Sequence, residues 1–169
     1  QIGYCEKGRY ANKIIIPTHS AEGTLEYFVA RSFEKEPSRK YDAPSSDKNL
    51  IGFENMINWN VPIVLCEGAF DAIAIKRNAI PLFGKNISRK LMQKLVTSDV
   101  KKVYLALDSD AIKATYKIAD QLLKAGKKLF VIELDDKDPA DMGFALFTNK
   151  IQEAQEFTFS SLLNLKLSI

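Results

Sequence analysis

Asp108 and Asp110 follow directly on the apolar run Val103-Tyr104-Leu105-Ala106-Leu107, and Glu67-Gly68 ends the similar run Ile63-Val64-Leu65-Cys66. Short apolar runs of this kind read as buried strands of a parallel sheet. Ligands of such sheets bind beyond the carboxyl ends of the strands, so this pattern gathers several acids at one end of one sheet. Unpaired carboxylates in contact repel by about 1 kcal/mol per pair in water and about 4 kcal/mol at an effective dielectric of 20. A divalent cation removes that penalty, and an all-oxygen donor set favours Mg²⁺ or Mn²⁺ over zinc. A third acidic segment, Asp135-Asp136-Lys137-Asp138-Pro139-Ala140-Asp141, follows the apolar run that ends at Leu134.

Each segment also has a plainer reading. Asp71, in the first turn after Gly68, would complement a helix dipole. Asp110 or Ser109 would cap the following helix, and Asp135 and Asp136 would belong to a solvated loop. Three strands ending in acids are harder to dismiss than one. Residues two apart in an extended segment point the same way, which would direct Asp108 and Asp110 at one ion.

The elements that must hold these acids alternate. The sequence predicts strands over 63–67, 80–83, 102–108 and 128–134. Between them it predicts helices over 70–77, 88–97 with Ser88 as N-cap, and 112–125 with Gly126 as C-cap. This alternation predicts an α/β fold, a parallel sheet flanked by helices with right-handed connections. Residues 1–60 read differently, as a small mixed α+β subdomain. It has strands over 12–17 and 25–33, the turn Ala21-Glu22-Gly23, a flexible polar loop over 34–49 and a short helix over 53–59. The expected organisation is an N-terminal subdomain over 1–60, an acid-bearing domain over 61–150 and a C-terminal helical tail over 151–169.

Bulk properties exclude several classes. The chain has 169 residues, is 46% hydrophobic and 27% charged, and contains no run long enough to cross a bilayer. It opens without Met, as the interior of a longer protein would. Two cysteines, Cys5 and Cys66, and one histidine, His19, cannot assemble a zinc site within one chain, and a reducing cytoplasm is the expected setting. The net charge is only +3, yet residues 76–102 hold eight Lys/Arg against one acid, Asp99. That basic middle suggests a polyanion partner, with a solvated helix face as the alternative.

Glu67-Gly68-x-x-Asp71, then Asp108-x-Asp110, then Lys137-Asp138-Pro139 resembles the toprim domain of primases, type IA and II topoisomerases and some nucleases. The segment Gly8-Arg9-Tyr10-Ala11-Asn12-Lys13-Ile14-Ile15-Ile16-Pro17 resembles the start of the polymerase core of bacterial-type DNA primases. Gly23, Tyr27-Phe28-Val29-Ala30-Arg31 and Lys40-Tyr41 extend that likeness, which topoisomerases do not share; bacteriophage primases look closest. Two departures stand out. Ala111-Ile112-Lys113 replaces a frequent Gly. Asp138-Pro139-Ala140-Asp141 replaces a frequent Asp-Pro-Asp, leaving Asp138 and Asp141 as alternatives for the third-motif ligand.

The resemblance implies a toprim-containing DNA primase core, a DNA-directed RNA polymerase that makes short RNA primers on single-stranded DNA from ribonucleoside triphosphates. Two or more Mg²⁺ or Mn²⁺ ions would be held by Glu67, Asp108, Asp110 and Asp138, with Asp71 and Asp141 as metal-binding or supporting groups. Glu67, Asp108 and Asp110 would be catalytic. Arg9, Asn12, Lys13, Arg31, Lys40 and Tyr41 would hold template or triphosphate. A replicative helicase would engage through regions outside this chain, in the cytoplasm of a bacterial or phage-infected cell. The competing readings are a toprim-type metal-dependent nuclease, a non-catalytic nucleic-acid-binding toprim module, and a plain nucleotide-binding α/β domain. The last lacks both a P-loop and a dinucleotide fingerprint.

Overall fold

A computed structural model describes residues 2–35, 37–134 and 137–167; Asp135 and Asp136 of the acidic loop lie outside the described residues. Four strands, β1 (Gly3–Cys5), β2 (Lys13–His19), β3 (Leu25–Ser32) and β4 (Tyr41–Asp42), form an antiparallel sheet in sequential order. The turn between β2 and β3 passes through Gly23 at φ 86°, a backbone region glycine enters without steric cost. The segment expected to be a flexible polar loop contains β4. Tyr41 pairs with Arg31 and Asp42 with Ala30, and a two-residue strand carries no alternation by which the sequence could announce it.

Five strands form the second sheet: β5 (Ile63–Cys66), β6 (Ala79–Pro81), β7 (Lys102–Ala106), β8 (Lys128–Val131) and β9 (Glu156–Phe157), in the order β6-β5-β7-β8-β9. β6, β5, β7 and β8 run parallel, and β9 closes the edge antiparallel to β8. The crossover helices are α1 (Ala69–Ile75), α2 (Arg89–Thr97) and α3 (Ile112–Lys124), followed by α4 (Pro139–Glu153) and α5 (Phe159–Leu167). The expected α/β fold is therefore present. Ser88 caps α2 as predicted, its Oγ accepting from the Leu91 N–H at 3.0 Å, and Gly126 follows α3 at φ 74°. The expected strand ends overran: β5 and β7 stop at Cys66 and Ala106, one and two residues short of the acids.

Alternate residues of each central strand enter opposite cores. Ile63, Leu65, Val103, Leu105 and Leu129 face α2, α3 and α5, against Leu91, Leu95, Ile118, Leu122 and Leu162. Val64, Cys66 and Ala106 face the other way, against Ala69, Ala72 and Ile75 of α1, Phe147 of α4, and Ile16 and Tyr27 of the first sheet. The first sheet thus shares a core with the second. Burying a Leu or Ile side chain stabilises by roughly 1.5–3 kcal/mol. The period of two along the strands thus fixes register, because a one-residue slip would exchange the two cores.

Gly52 locks the two parts together. A Cβ built there would lie 2.3 Å from the Pro81 carbonyl oxygen of β6, which is backbone and has no rotamer to yield. Gly52→Ala is expected to lower stability by about 1–3 kcal/mol, the usual cost of overpacking, read as a drop in the denaturant midpoint at unchanged slope.

Candidate active site

Parallel pairing brings the acids together. Cys66 of β5 sits beside Ala106 of β7, so the chain leaves both strands at the same edge. One oxygen from each of Glu67, Asp108 and Asp110 lies within 4.8 Å of the others. Glu67 Oε1 also accepts from the Asp108 N–H at 3.1 Å, tying the two strand ends directly.

Asp108 and Asp110 do not converge through an extended segment, as the sequence suggested. Residues Ser109–Ala111 form a single 3₁₀ turn, and Ala111 occupies the N-cap of the helix that follows, so neither Ser109 nor Asp110 stands at the cap position. Capping therefore does not explain the Asp-x-Asp pair. The turn instead folds Asp110 back toward Asp108, and both carboxylates remain exposed.

The electrostatics are those of crowded negative charge. Burial pushes the Glu67 carboxyl up, opposed by the Asp108 N–H and reinforced by the Asp108 charge. Burial and then the charges of Asp110 and Asp138 raise Asp108. Asp110 is held by the ammonium of Lys85, a residue the sequence reading missed. Lys85 follows Gly84 after β6, just as the acids follow their own strands, and the Gly84 N–H is held by the Glu67 carbonyl at 3.2 Å. The donor set is carboxylate oxygen alone, which fits a hard divalent cation. The nearest thiol, Cys66, is fully buried in β5 with its pKa pushed well up by burial.

Asp71 and the third acidic segment have different local roles. Asp71 Oδ2 accepts from the Gly68 N–H at 2.9 Å. Gly68 has ordinary extended backbone; what requires glycine is space, since a Cβ would meet Asp71 Oδ2 at 2.9 Å. Burial raises the Asp71 carboxyl to about 6, and nearby Asp138 adds to the effect against the Gly68 N–H. Asp138 caps α4, its Oδ1 accepting from the Asp141 N–H at 2.7 Å. It lies outside the three-acid cluster and acts on Asp108 and Asp71 through charge. Asp141 is exposed in the first turn of α4, a helix kinked at Gly143 where φ is 74°.

A raised carboxyl favours the protonated form in the folded state. Its contribution to stability is fully present below the unfolded pKa near 4 and is lost as pH rises through about 6. Asp71→Asn keeps an acceptor for Gly68 and removes the charge. We expect its thermal midpoint to exceed that of the unmutated protein at pH 8 and to converge with it near pH 4; a gap of the same size at both pH values would contradict this origin.

A cavity of about 830 Å³ is lined by Glu67, Gly68, Asp71, Asp138 and Asp141 of the acid-bearing half and by Arg31, Lys40 and Tyr41 of the N-terminal part. Asp108 and Asp110 do not line it; Glu67 belongs to both groups. The Arg31 guanidinium carbon sits 4.3 Å from the Phe70 ring centroid and 5.3 Å from that of Tyr41. Those rings hold the cation by the attraction between positive charge and an aromatic face. Arg9 and Lys13 do not line the cavity themselves but pair at 3.3 and 3.9 Å with Asp42, which does, with Arg39 on the same carboxylate at 3.6 Å. Burial pushes the Asp42 carboxyl up, but the Ala43 N–H, Arg9 and Arg39 outweigh it and leave it lowered. Asn12, at φ 59°, bonds Glu34 and Tyr4 at 3.3 and 3.2 Å and does not line the cavity. Asp42 carried no sequence signal, because its role depends on the β3–β4 pairing.

Residues 64–142 match the family described as Toprim-like. An uncharacterised protein of Mycoplasma genitalium is 29% identical over 145 residues, covering 79% of this chain and 64% of that protein. A DNA primase of Thermotoga maritima is 28% identical over 129 residues, covering 68% of this chain and 23% of the primase. The chain therefore spans less than two thirds of either relative. Among solved structures, the E. coli primase catalytic core superposes with a TM-score of 0.74 at 19% identity, over 98% of this chain and 60% of that one. A DnaG primase catalytic domain bound to single-stranded DNA gives 0.76 at 19% identity, over 98% and 59%. That likeness includes the first sheet as well as the acid-bearing one. Residues 64–142 are thus similar to the toprim-like family, and the chain has the toprim fold seen in DNA primase catalytic cores.

Proposed function

We propose that this chain is the catalytic core of a DNA primase, making short RNA primers on single-stranded DNA by metal-dependent nucleotidyl transfer. The observation that carries this reading is the three-carboxylate cluster of Glu67, Asp108 and Asp110, which shares Glu67 with a cavity also lined by Arg31. Residues 1–60 hold template and triphosphate, residues 61–150 carry the chemistry, and residues 151–169 form a tail in which α5 buries Leu162 against the core of the second sheet. The partners are single-stranded DNA and ribonucleoside triphosphates, with a replicative helicase engaged through regions outside this chain, in the cytoplasm of a bacterial or phage-infected cell.

Glu67, Asp108 and Asp110 would hold Mg²⁺ or Mn²⁺, and Asp138 adjusts the site through its charge. When bound, such an ion would acidify the attacking 3′-hydroxyl and offset charge on the phosphates. The hydroxyl oxygen forms a bond to the α-phosphorus, and the bond to pyrophosphate breaks. Glu67, with its carboxyl raised by burial, is the residue suited to accept the hydroxyl proton. Arg31 offers a planar fork of donors to phosphate oxygens, while Lys40 and Tyr41 border the same space. Arg9, Lys13 and Asn12 support the template side, Arg9 and Lys13 through Asp42.

The test incubates the chain with single-stranded DNA carrying one label, ribonucleotides carrying another, and Mg²⁺ or Mn²⁺. Short RNA oligomers made by the unmutated chain and not by Glu67→Gln or Asp108→Asn are expected. Acid-dependent cutting of the DNA without oligomers would replace this reading with a toprim nuclease. Nucleic-acid binding unaffected by loss of the acids, with neither product, would replace it with a binding module.

A further inference from the structure

The basic stretch 76–102 is largely spoken for. Lys76 and Arg77 lie against the Phe144 ring at 5.9 and 5.4 Å. Lys90 pairs with Glu26 and Glu54 at 3.3 and 2.9 Å, and Lys94 lies over Trp59 at 5.3 Å. Lys101 and Lys102 stand at the amino end of β7, the sheet edge opposite the acids. Lys85, paired with Asp110, and Arg89 line a groove of about 610 Å³ whose other bank is α3 with Lys117 and Gln121.

The chemistry of this groove is one-sided. Three cations line it, joined by the neutral hydrogen-bonding side chains of Asn86, Gln93 and Gln121, and no carboxylate lines it among the described residues. Lys113, one turn before Lys117 on the same face of α3, is exposed and extends the row. Arg89 opens α2, where the positive end of the helix dipole adds to its charge. Among the described residues no aromatic ring lines the groove, so it provides no platform for stacking bases, unlike the cavity with Tyr41 and Phe70. Cations with amide donors and no ring match phosphodiester oxygens rather than bases.

Lys85 lines the groove and at the same time holds Asp110 of the acid cluster, so groove and cluster adjoin at that residue. We infer that the groove between α2 and α3 is a track for the phosphate backbone of a nucleic-acid strand that passes the acid cluster. That the strand is template or product rests on the primase reading above; that the groove takes a phosphate backbone rests on its lining.

The experiment measures binding of a labelled single-stranded oligonucleotide to the chain by fluorescence anisotropy across a range of salt concentrations. Each lost single-strand phosphate contact lowers the slope of log affinity against log salt by about 0.7. Arg89→Gln with Lys117→Gln should therefore reduce it by about 1.4, with affinity falling on the order of tenfold at moderate salt. Lys113→Gln with Lys117→Gln gives a second pair in case the first misfolds. Lys101→Gln with Lys102→Gln removes the same charge at the far edge and should leave slope and affinity unchanged. An unaltered slope in the groove variants, or an equal fall in the control pair, overturns the inference. So does displacement of the oligonucleotide by tripolyphosphate at matched phosphate concentration, which would assign the groove to free polyphosphate. Primer synthesis assayed on the same unmutated protein separates the two readings. Its absence with a groove-dependent slope removes the primase alone, and its presence with an unaltered slope removes the groove alone.

Discussion

Glu67→Gln and Asp108→Asn are each expected to lower primer synthesis by on the order of 10²–10³-fold, the usual cost of removing one preorganised electrostatic group from a site. The same changes should not unfold the protein. In Glu67→Gln the new side-chain amide keeps an oxygen to accept from the Asp108 N–H, the contact now made by Glu67 Oε1 at 3.1 Å. The Glu67 carboxyl is raised, first by burial and then by neighbouring charge. Its contribution to stability is thus present below the unfolded pKa and lost as pH rises through the folded one. At neutral pH without divalent ions, the ionised group works against folding, so Glu67→Gln should melt at the same temperature as the unmutated chain or higher. Adding Mg²⁺ or Mn²⁺ should reverse that order, because an ion that binds only the folded state stabilises in proportion to its occupancy. Loss of activity accompanied by a lower melting temperature under both conditions would mean that the substitution damages the fold rather than the chemistry.

Arg31 should give the second largest effect. It stands in β3, paired with Tyr41 of β4, and its guanidinium lies over both Phe70 and Tyr41 while facing the cavity. Hydrogen bonds to charged groups contribute about 1.5–3 kcal/mol. Arg31→Ala is therefore expected to weaken use of ribonucleoside triphosphate by about 10–100-fold in kcat/KM. Arg31→Lys keeps the charge but loses the planar fork and the stacking, and should recover only part of that loss. Full recovery by Lys would reduce Arg31 to a point charge. The phenylalanine supplies a further check. Phe70→Leu keeps the apolar volume, removes the ring face at 4.3 Å, and should reproduce a fraction of the Arg31→Lys defect without altering the acids.

Much of the acid-bearing half was legible. Runs such as Ile63-Val64-Leu65-Cys66 and Val103-Tyr104-Leu105-Ala106-Leu107 must be buried on both sides, and buried strands alternating with amphipathic helices form parallel sheets. Once β5 and β7 are parallel neighbours, the residues after Cys66 and Ala106 have to emerge at one edge. Local pattern thus puts Glu67 and Asp108 at one edge of the sheet, and the β5–β7 pairing puts them side by side. Ser88 and Gly126 were legible for the same reason, since caps are decided by residues a few positions apart.

Other features were decided only by contacts between distant segments. β4 and β9 have two residues each, and what makes them strands is the partner they meet, not their own propensity. The 3₁₀ turn at Ser109–Ala111 replaced the extended geometry by which Asp108 and Asp110 were expected to align. Asp138 was expected as a metal ligand, and its capping of α4 depends on where that helix begins relative to the cluster. Lys85 reaches Asp110 across 25 residues of chain, and Asp42 gathers Arg9 from 33 residues away together with Lys13 and the nearby Arg39. The sequence by itself determined the parallel sheet and the edge at which its acids emerge, because burial and strand period are properties of each segment. Which charges neutralise which, and which cations stay open to a ligand, only the tertiary structure decided, because charge pairing depends on distances that folding sets.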